Sequence, residues 1–135
     1  MLHLKVHHLG YLVKKRDAAK KAFEALGYVV ESDWVRDEAR GIDICFMTMD
    51  SLRVELVCPF TKDSDVSSLL SRIKNSPYHI CYETPSIADE MPLLREEGYL
   101  PIKESAPAPA CGGRNVAFFL HPALGMIELL ELSCP

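Results

Sequence analysis

Apolar positions along the chain follow two spacings, alternating and helical, and the order of these spacings is written twice. The stretch "HHLGYLV", beginning at His7, is a short apolar run of strand length. It is followed by "RDAAKKAFEALGY", where Ala19, Ala22, Phe23 and Leu26 recur every three or four residues and predict an amphipathic helix. Asp17 is the candidate N-cap of that helix and Gly27 its stop. Runs at 28–36, 41–49 and 52–58 then read as three strands.

In the second half "YHICYET", beginning at Tyr78, leads into "SIADEMPLLREEGY". There Ser86 and Asp89 resemble a capping box and Gly98 closes the helical pattern. Pro92 lacks an N–H for the helical ladder and is expected to shorten or kink this helix. Strand-like runs follow at 99–105, 115–121 and 125–132.

Both halves therefore read βαβββ, and the interval from His8 to Gly27 equals that from His79 to Gly98, 19 residues. Between them Val66, Leu69, Leu70 and Ile73 form a helical stripe, which predicts a short linker helix. Neither half alone covers both faces of its sheet, so the expectation is one α+β domain, 1–135, made of two fused modules. Module one spans about 3–58, the linker helix about 64–75 and module two about 76–132.

Composition narrows the function classes. A net charge of −4 gives no basic surface for a phosphate backbone, so no nucleic-acid partner is expected. No run of about 18 apolar residues and no leader pattern at the start occurs, so no membrane association is expected and the cytoplasm is the default location. Cys45, Cys58, Cys81, Cys111 and Cys134 are odd in number, widely spaced and never CxxC. They read as small buried hydrophobes in a reducing compartment rather than as a disulfide or zinc framework, with a nucleophilic cysteine the weaker alternative.

The polar residues inside apolar strands carry the chemistry. "VELV" and "IELLEL" each place a glutamate where an unpartnered carboxylate is expensive. His8 to Glu55 is 47 residues and His79 to Glu128 is 49, so each half supplies one histidine and one glutamate at matching places. If the modules pack side by side, two imidazoles and two carboxylates converge, and a divalent cation among them would relieve the repulsion between the carboxylates. That donor set suits Zn, Ni, Co, Mn or Fe. Taken singly, each of these residues reads more readily as a satisfied core histidine or a solvated strand glutamate; the matched spacing is what singles the four out. Glu131 is assigned to solvent, and His3, His7 and His121 to surface or supporting roles.

The segments "HHLGYLV", "ALGY", "RVELVCP", "PYHICYE" and "VAFFLHPALGMIELLEL" resemble the vicinal oxygen chelate superfamily, the glyoxalase/bleomycin resistance/dioxygenase proteins, over essentially the whole chain. The resemblance implies a cupped, incomplete mixed β-barrel around one divalent metal, with His8, Glu55, His79 and Glu128 as ligands. "HHLGYLVKK" and "VAFFLHPALGMIELLE" are similar to methylmalonyl-CoA epimerases, while the His, Glu, His, Glu set also matches lactoylglutathione lyase, glyoxalase I.

Both families imply proton transfer at a carbon next to a carbonyl, with a carboxylate as base, here Glu128. The substrate implied is a small molecule, an acyl thioester or a glutathione adduct, and the superfamily favours homodimers. In the epimerase pattern a second glutamate lies two residues before a glycine; "DEARGI" has Ala39 at that place, which leaves Glu38 as the second candidate base. Epimerases also commonly carry glutamine where Glu55 stands. Arg36, Arg40, Arg53 and Arg114 are candidates for an anionic substrate tail, and "APAPACGGR" for a lid or an ordinary connection. A non-catalytic binding protein of the same fold is the reading from another class.

Overall fold

The computed structural model describes residues 2–132, and Cys134 lies outside them. The chain divides into two compact units, one of residues 8–78 and one of residues 1–7 with 79–135. The α+β class read from the sequence is present, and the βαβββ order appears in both halves, the second adding the two-residue strand Ala106–Pro107.

In the unit of residues 8–78 the elements are β1 (Lys5–Leu12, most of it), α1 (Arg16–Leu26), β2 (Val29–Asp37), β3 (Ile42–Met49), β4 (Leu52–Pro59) and α2 (Ser67–Ile73). Strand β1 runs parallel to β4, with Gly10 beside Glu55, and β4 and β3 pair antiparallel, with Phe46 opposite Glu55. Strand β2 adds antiparallel to β3 with two register irregularities. Helix α1 lays Ala19 and Phe23 on one sheet face, over Cys45, Met47, Val54 and Leu56. Burial of that apolar stripe holds the helix, because its start has no side-chain cap. Lys15, not Asp17, is the N-cap; Asp17 lies in the first turn, where its charge complements the helix dipole. Gly27 closes α1 at φ +112, a conformation that a side chain strains, and its N–H bonds the Glu24 and Phe23 carbonyls.

The other unit contains β5 (Ser76–Thr84, from residue 79), α3 (Ile87–Glu96), β6 (Leu100–Pro101), β7 (Ala106–Pro107), a 3-10 turn (Pro109–Cys111), β8 (Asn115–His121) and β9 (Gly125–Glu131). Strands β5 and β9 are parallel, with Cys81 beside Glu128, and β9 and β8 are antiparallel, with Phe118 opposite Glu128. Ser86 Oγ accepts the Asp89 N–H at 3.1 Å, which makes the N-cap expected from the sequence.

Helix α3 runs through Pro92 to Glu96 rather than stopping there. Only one ladder bond is lost at a proline, and the burial of Ile87 and Leu94 at 3% and 0% exposure offsets it. The strand expected at 99–105 shrinks to Leu100–Pro101, with one further bond to β8 from the Ile102 N–H to the Phe118 carbonyl. No helix among the described residues is long and apolar enough to cross a membrane.

Candidate metal centre and active site

Strand alternation sets which side chains share a face. In the 8–78 unit α1 covers one face, and the opposite one carries His8, Gly10, Phe46 and Glu55. His8 and Glu55 are 1% and 4% exposed, and His8 Nε2 stands 3.4 Å from Glu55 Oε1. Phe46 meets the His8 ring edge to face, centroids 5.3 Å apart. Gly10, beside Glu55, brings no side chain into the space next to the carboxylate.

The other unit repeats this arrangement. His79 and Glu128 are 3% and 4% exposed, with Nε2 and Oε1 3.0 Å apart, and Phe118 lies edge to face with His79 at 5.5 Å. Each glutamate is therefore held beside an imidazole of its own module, and each imidazole is steadied by a phenylalanine opposite the glutamate in register. Phe46 and Phe118 are missed by the sequence reading. Their signal is the repeat itself, since His8 to Phe46 is 38 residues and His79 to Phe118 is 39.

Glu38 is placed differently. It is exposed in the turn after β2, beyond the Asp37–Ile42 pair. Ile42 is four residues along β3 from Phe46, the partner of Glu55, so Glu38 stands roughly 13 Å or more along the sheet from the level of Glu55.

The four arginines considered as anion binders all meet carboxylates within the chain. Arg36 pairs Asp43 through Nε and Nη2 at 2.8 and 3.0 Å, Arg40 reaches Asp37 at 2.7 Å, Arg53 reaches Glu31 at 2.7 Å and Arg114 reaches Glu83 at 3.1 Å. Asp43 also accepts from Arg16 Nη1 at 2.8 Å, and the hydrogen bonds of Arg36 and Arg16 hold its carboxyl below the usual aspartate range against the opposing effect of burial.

Among the remaining polar and cysteine positions, the expectation that changes is the one for Glu131. Glu131 does not simply face solvent: it accepts the Ile87 N–H at 3.0 Å and so satisfies a donor at the start of α3. His121 supports the end of α3, with Nε2 donating to the Glu97 carbonyl at 3.0 Å while Nδ1 accepts the Ala123 N–H. The "APAPACGGR" stretch is a tied connection: Ala108 N–H bonds the Arg114 carbonyl, Gly113 N–H bonds the Ala108 carbonyl, and Ala108 packs on Cys81, Val116 and Leu130. Cys45, Cys58 and Cys81 are buried thiols that form no disulfide, as expected of core cysteines, and burial pushes the Cys45 thiol up to about 11.

Comparison with solved structures finds the same fold in a hypothetical protein of Bacillus halodurans C-125, with TM-score 0.82 and 22% identity over 98% of this chain and 97% of that one. A methylmalonyl-CoA epimerase of Mycobacterium tuberculosis matches with TM-score 0.80 and 18% identity over 95% of this chain and 87% of that one. A methylmalonyl-CoA epimerase of Streptomyces coelicolor, in complex with 2-nitronate-propionyl-CoA, matches with TM-score 0.80 and 20% identity over 94% and 93%. At these identities the likeness is one of fold. No functionally curated protein matches the sequence. The family model of the Glyoxalase/Bleomycin resistance protein/Dioxygenase superfamily matches residues 7–118. With the duplicated βαβββ order and the repeated His–Glu pair already in view, that match over most of the chain identifies it: the protein belongs to the Glyoxalase/Bleomycin resistance protein/Dioxygenase superfamily.

Proposed function

We propose that the chain is a divalent-metal-dependent enzyme moving a proton at a carbon next to a carbonyl, of the methylmalonyl-CoA epimerase type. His8, Glu55, His79 and Glu128 together are the metal ligands in this reading, and Glu128 is the base. One observation carries it: both halves bury a His–Glu pair at the same register, each with a phenylalanine against the imidazole. Two almost fully buried carboxylates, each beside a buried imidazole, offer nitrogen and carboxylate-oxygen donors that fit Zn, Ni, Co, Mn or Fe. A divalent cation held by these residues supplies Lewis acidity, stabilising the negative charge that develops on a substrate carbonyl oxygen.

The chain's own residues do the rest. His79 Nε2, 3.0 Å from Glu128 Oε1, orients that carboxylate. Glu128 takes the proton from the acidic carbon and gives it back, either on the other face of that carbon or on its neighbour. Phe118, opposite Glu128, keeps water from one side of the carboxylate. Strict epimerisation by two bases needs a second group on the far face, and Glu38 is the residue proposed for it; from its exposed turn it serves only if that turn moves.

This placement favours a second reading, a one-base isomerisation of the lactoylglutathione lyase type, in which Glu128 carries the proton between neighbouring carbons. The thioester-bound epimerases among the structural neighbours support an acyl thioester as the first substrate class to test, and a glutathione adduct is the second. A carrier of small molecules on the same fold is the reading outside enzymes.

The deciding experiment follows substrate protons by NMR in deuterated water, with metal-loaded protein and a panel of acyl thioesters and glutathione hemithioacetals. Exchange at the carbon next to the carbonyl, abolished in Glu128→Gln, is expected. Unchanged exchange in Glu128→Gln removes Glu128 as base, and no exchange with any member of the panel contradicts the enzymatic reading.

A further inference from the structure

The sheet face carrying His79 and Glu128 is closed at one end and open at the other. Two residues from Glu128 towards the end of β9, Leu130 is 0% exposed and lies with Cys81 and Val116 beneath Ala108 of the tied connection. In the opposite direction the described residues of β8, β9 and the Leu100–Ile102 segment on this face are apolar. Phe118 lies opposite Glu128, and the Phe118 carbonyl accepts the Ile102 N–H, which places Ile102 at the same level. One step further out, Leu120 lies between Met126 and Leu100. Leu100, Leu120 and Ile102 are 68%, 46% and 42% exposed in the folded chain. The corresponding step of the first module is polar, with Thr48 opposite Arg53 and Arg53 bound to Glu31.

We infer that this strip holds an uncharged hydrocarbon group of the substrate, attached near the carbon from which Glu128 removes a proton. The inference rests on Glu128 being the base. Leu130 and Ala108 close one end of this face to the substituents of a reacting carbon held at Glu128, and Phe118, Met126 and Leu120 offer them the other. The path from the level of Glu128 to that of Leu120 is two strand residues, roughly 7 Å, the reach of a short alkyl chain. Desolvating such a chain against this strip is favourable at every methylene, whereas a charged substituent would lose its hydration against these apolar side chains. The substrate class is thereby narrowed to carbonyl compounds bearing a short hydrocarbon tail.

The test titrates N-acetylcysteamine thioesters of straight-chain acids, acetyl to octanoyl, against wild-type protein, Leu120→Glu, Leu100→Glu and Leu120→Met, reading affinity from protein chemical shifts. Affinity should rise up to about fourfold per added methylene until the strip is covered. The glutamate variants should flatten that rise and Leu120→Met should keep it. A flat series in the wild type, or the same rise in both glutamate variants, overturns the inference. So does a dimer that dissociates in Leu120→Glu while the chain-length dependence stays, because the strip is then an interface with a second copy. Proton exchange recorded on the same samples, loaded with a divalent metal, separates the two levels: binding that grows with chain length but without exchange counts against Glu128 as base and leaves the strip as a hydrocarbon site only.

Discussion

Glu55 and Glu128 occupy matching places of the duplicated unit, yet they are not expected to be interchangeable. Each is almost fully buried and each has an imidazole of its own module within 3.4 or 3.0 Å. If Glu55 only ligates, an amide oxygen can stand in for one of its carboxylate oxygens, as the glutamine of epimerases at this position implies. If Glu128 is the base, the amide cannot accept the proton. Glu55→Gln should therefore retain measurable proton exchange while Glu128→Gln loses it. Equal loss in both variants would contradict the division of labour. Cys45 supplies a separate check at this scale: with its thiol pushed up to about 11 and 0% exposed, it should resist iodoacetamide in the native protein at pH 7 and react only after denaturation. Peptide mass spectrometry reads the outcome, and rapid native labelling of Cys45 would contradict it.

At the scale of elements, the sheet edge and the turns decide what holds. Asp43 sits on β3 with its side chain 3% exposed and accepts from Arg36 and Arg16. Its carboxyl is held below its ordinary value, so the native state stabilises the charged form. That contribution is full above the unfolded aspartate value near 3.9 and is lost as the pH falls through the lower folded value. Asp43→Asn should lower stability at neutral pH by about 1–3 kcal/mol, and the gap to the wild type should narrow below about pH 4. A gap in melting temperature that widens in acid would contradict this sign.

Gly41, at φ +69, gives a second check. A Cβ there would stand 2.6 Å from Thr61 Cγ2 and 3.2 Å from Ser64 Cβ, whereas a Cβ on Gly112, at φ +67, meets nothing within 4 Å. Both Gly→Ala changes strain the backbone, and Gly41→Ala should cost more, about 1–3 kcal/mol by thermal melting. Equal melting of the two variants would contradict the close approach.

The elements also mark how far the sequence could be read. Strand β8 and the caps at Ser86 and Gly27 follow from local chemistry, because alternation, a hydroxyl acceptor and a left-handed residue act within a few positions. The short extent of β6, the role of Glu131 at the start of α3 and the pairing of Asp43 with Arg16 were not legible, since each depends on partners that only the register brings close. The His–Glu pairs stood out only because they recur, and the phenylalanines beneath them were hidden among other apolar strand residues.

For the molecule as a whole, duplication is the organising fact. Two halves of βαβββ order, each with one buried His–Glu pair, fit a history in which each half brings half of a ligand set, and the superfamily match spans the first and reaches β8 of the second. The departures from symmetry include Thr48 and Arg53 against Leu120 and Met126.

The central claim is that the halves share one metal, and elemental analysis of protein reconstituted with a divalent cation and then dialysed tests it most directly. The account predicts about one ion per chain in the wild type and loss of that ion in both His8→Ala and His79→Ala, because either half alone retains too few donors. No retained metal in the wild type, or two ions per chain of which each variant loses one, would contradict it.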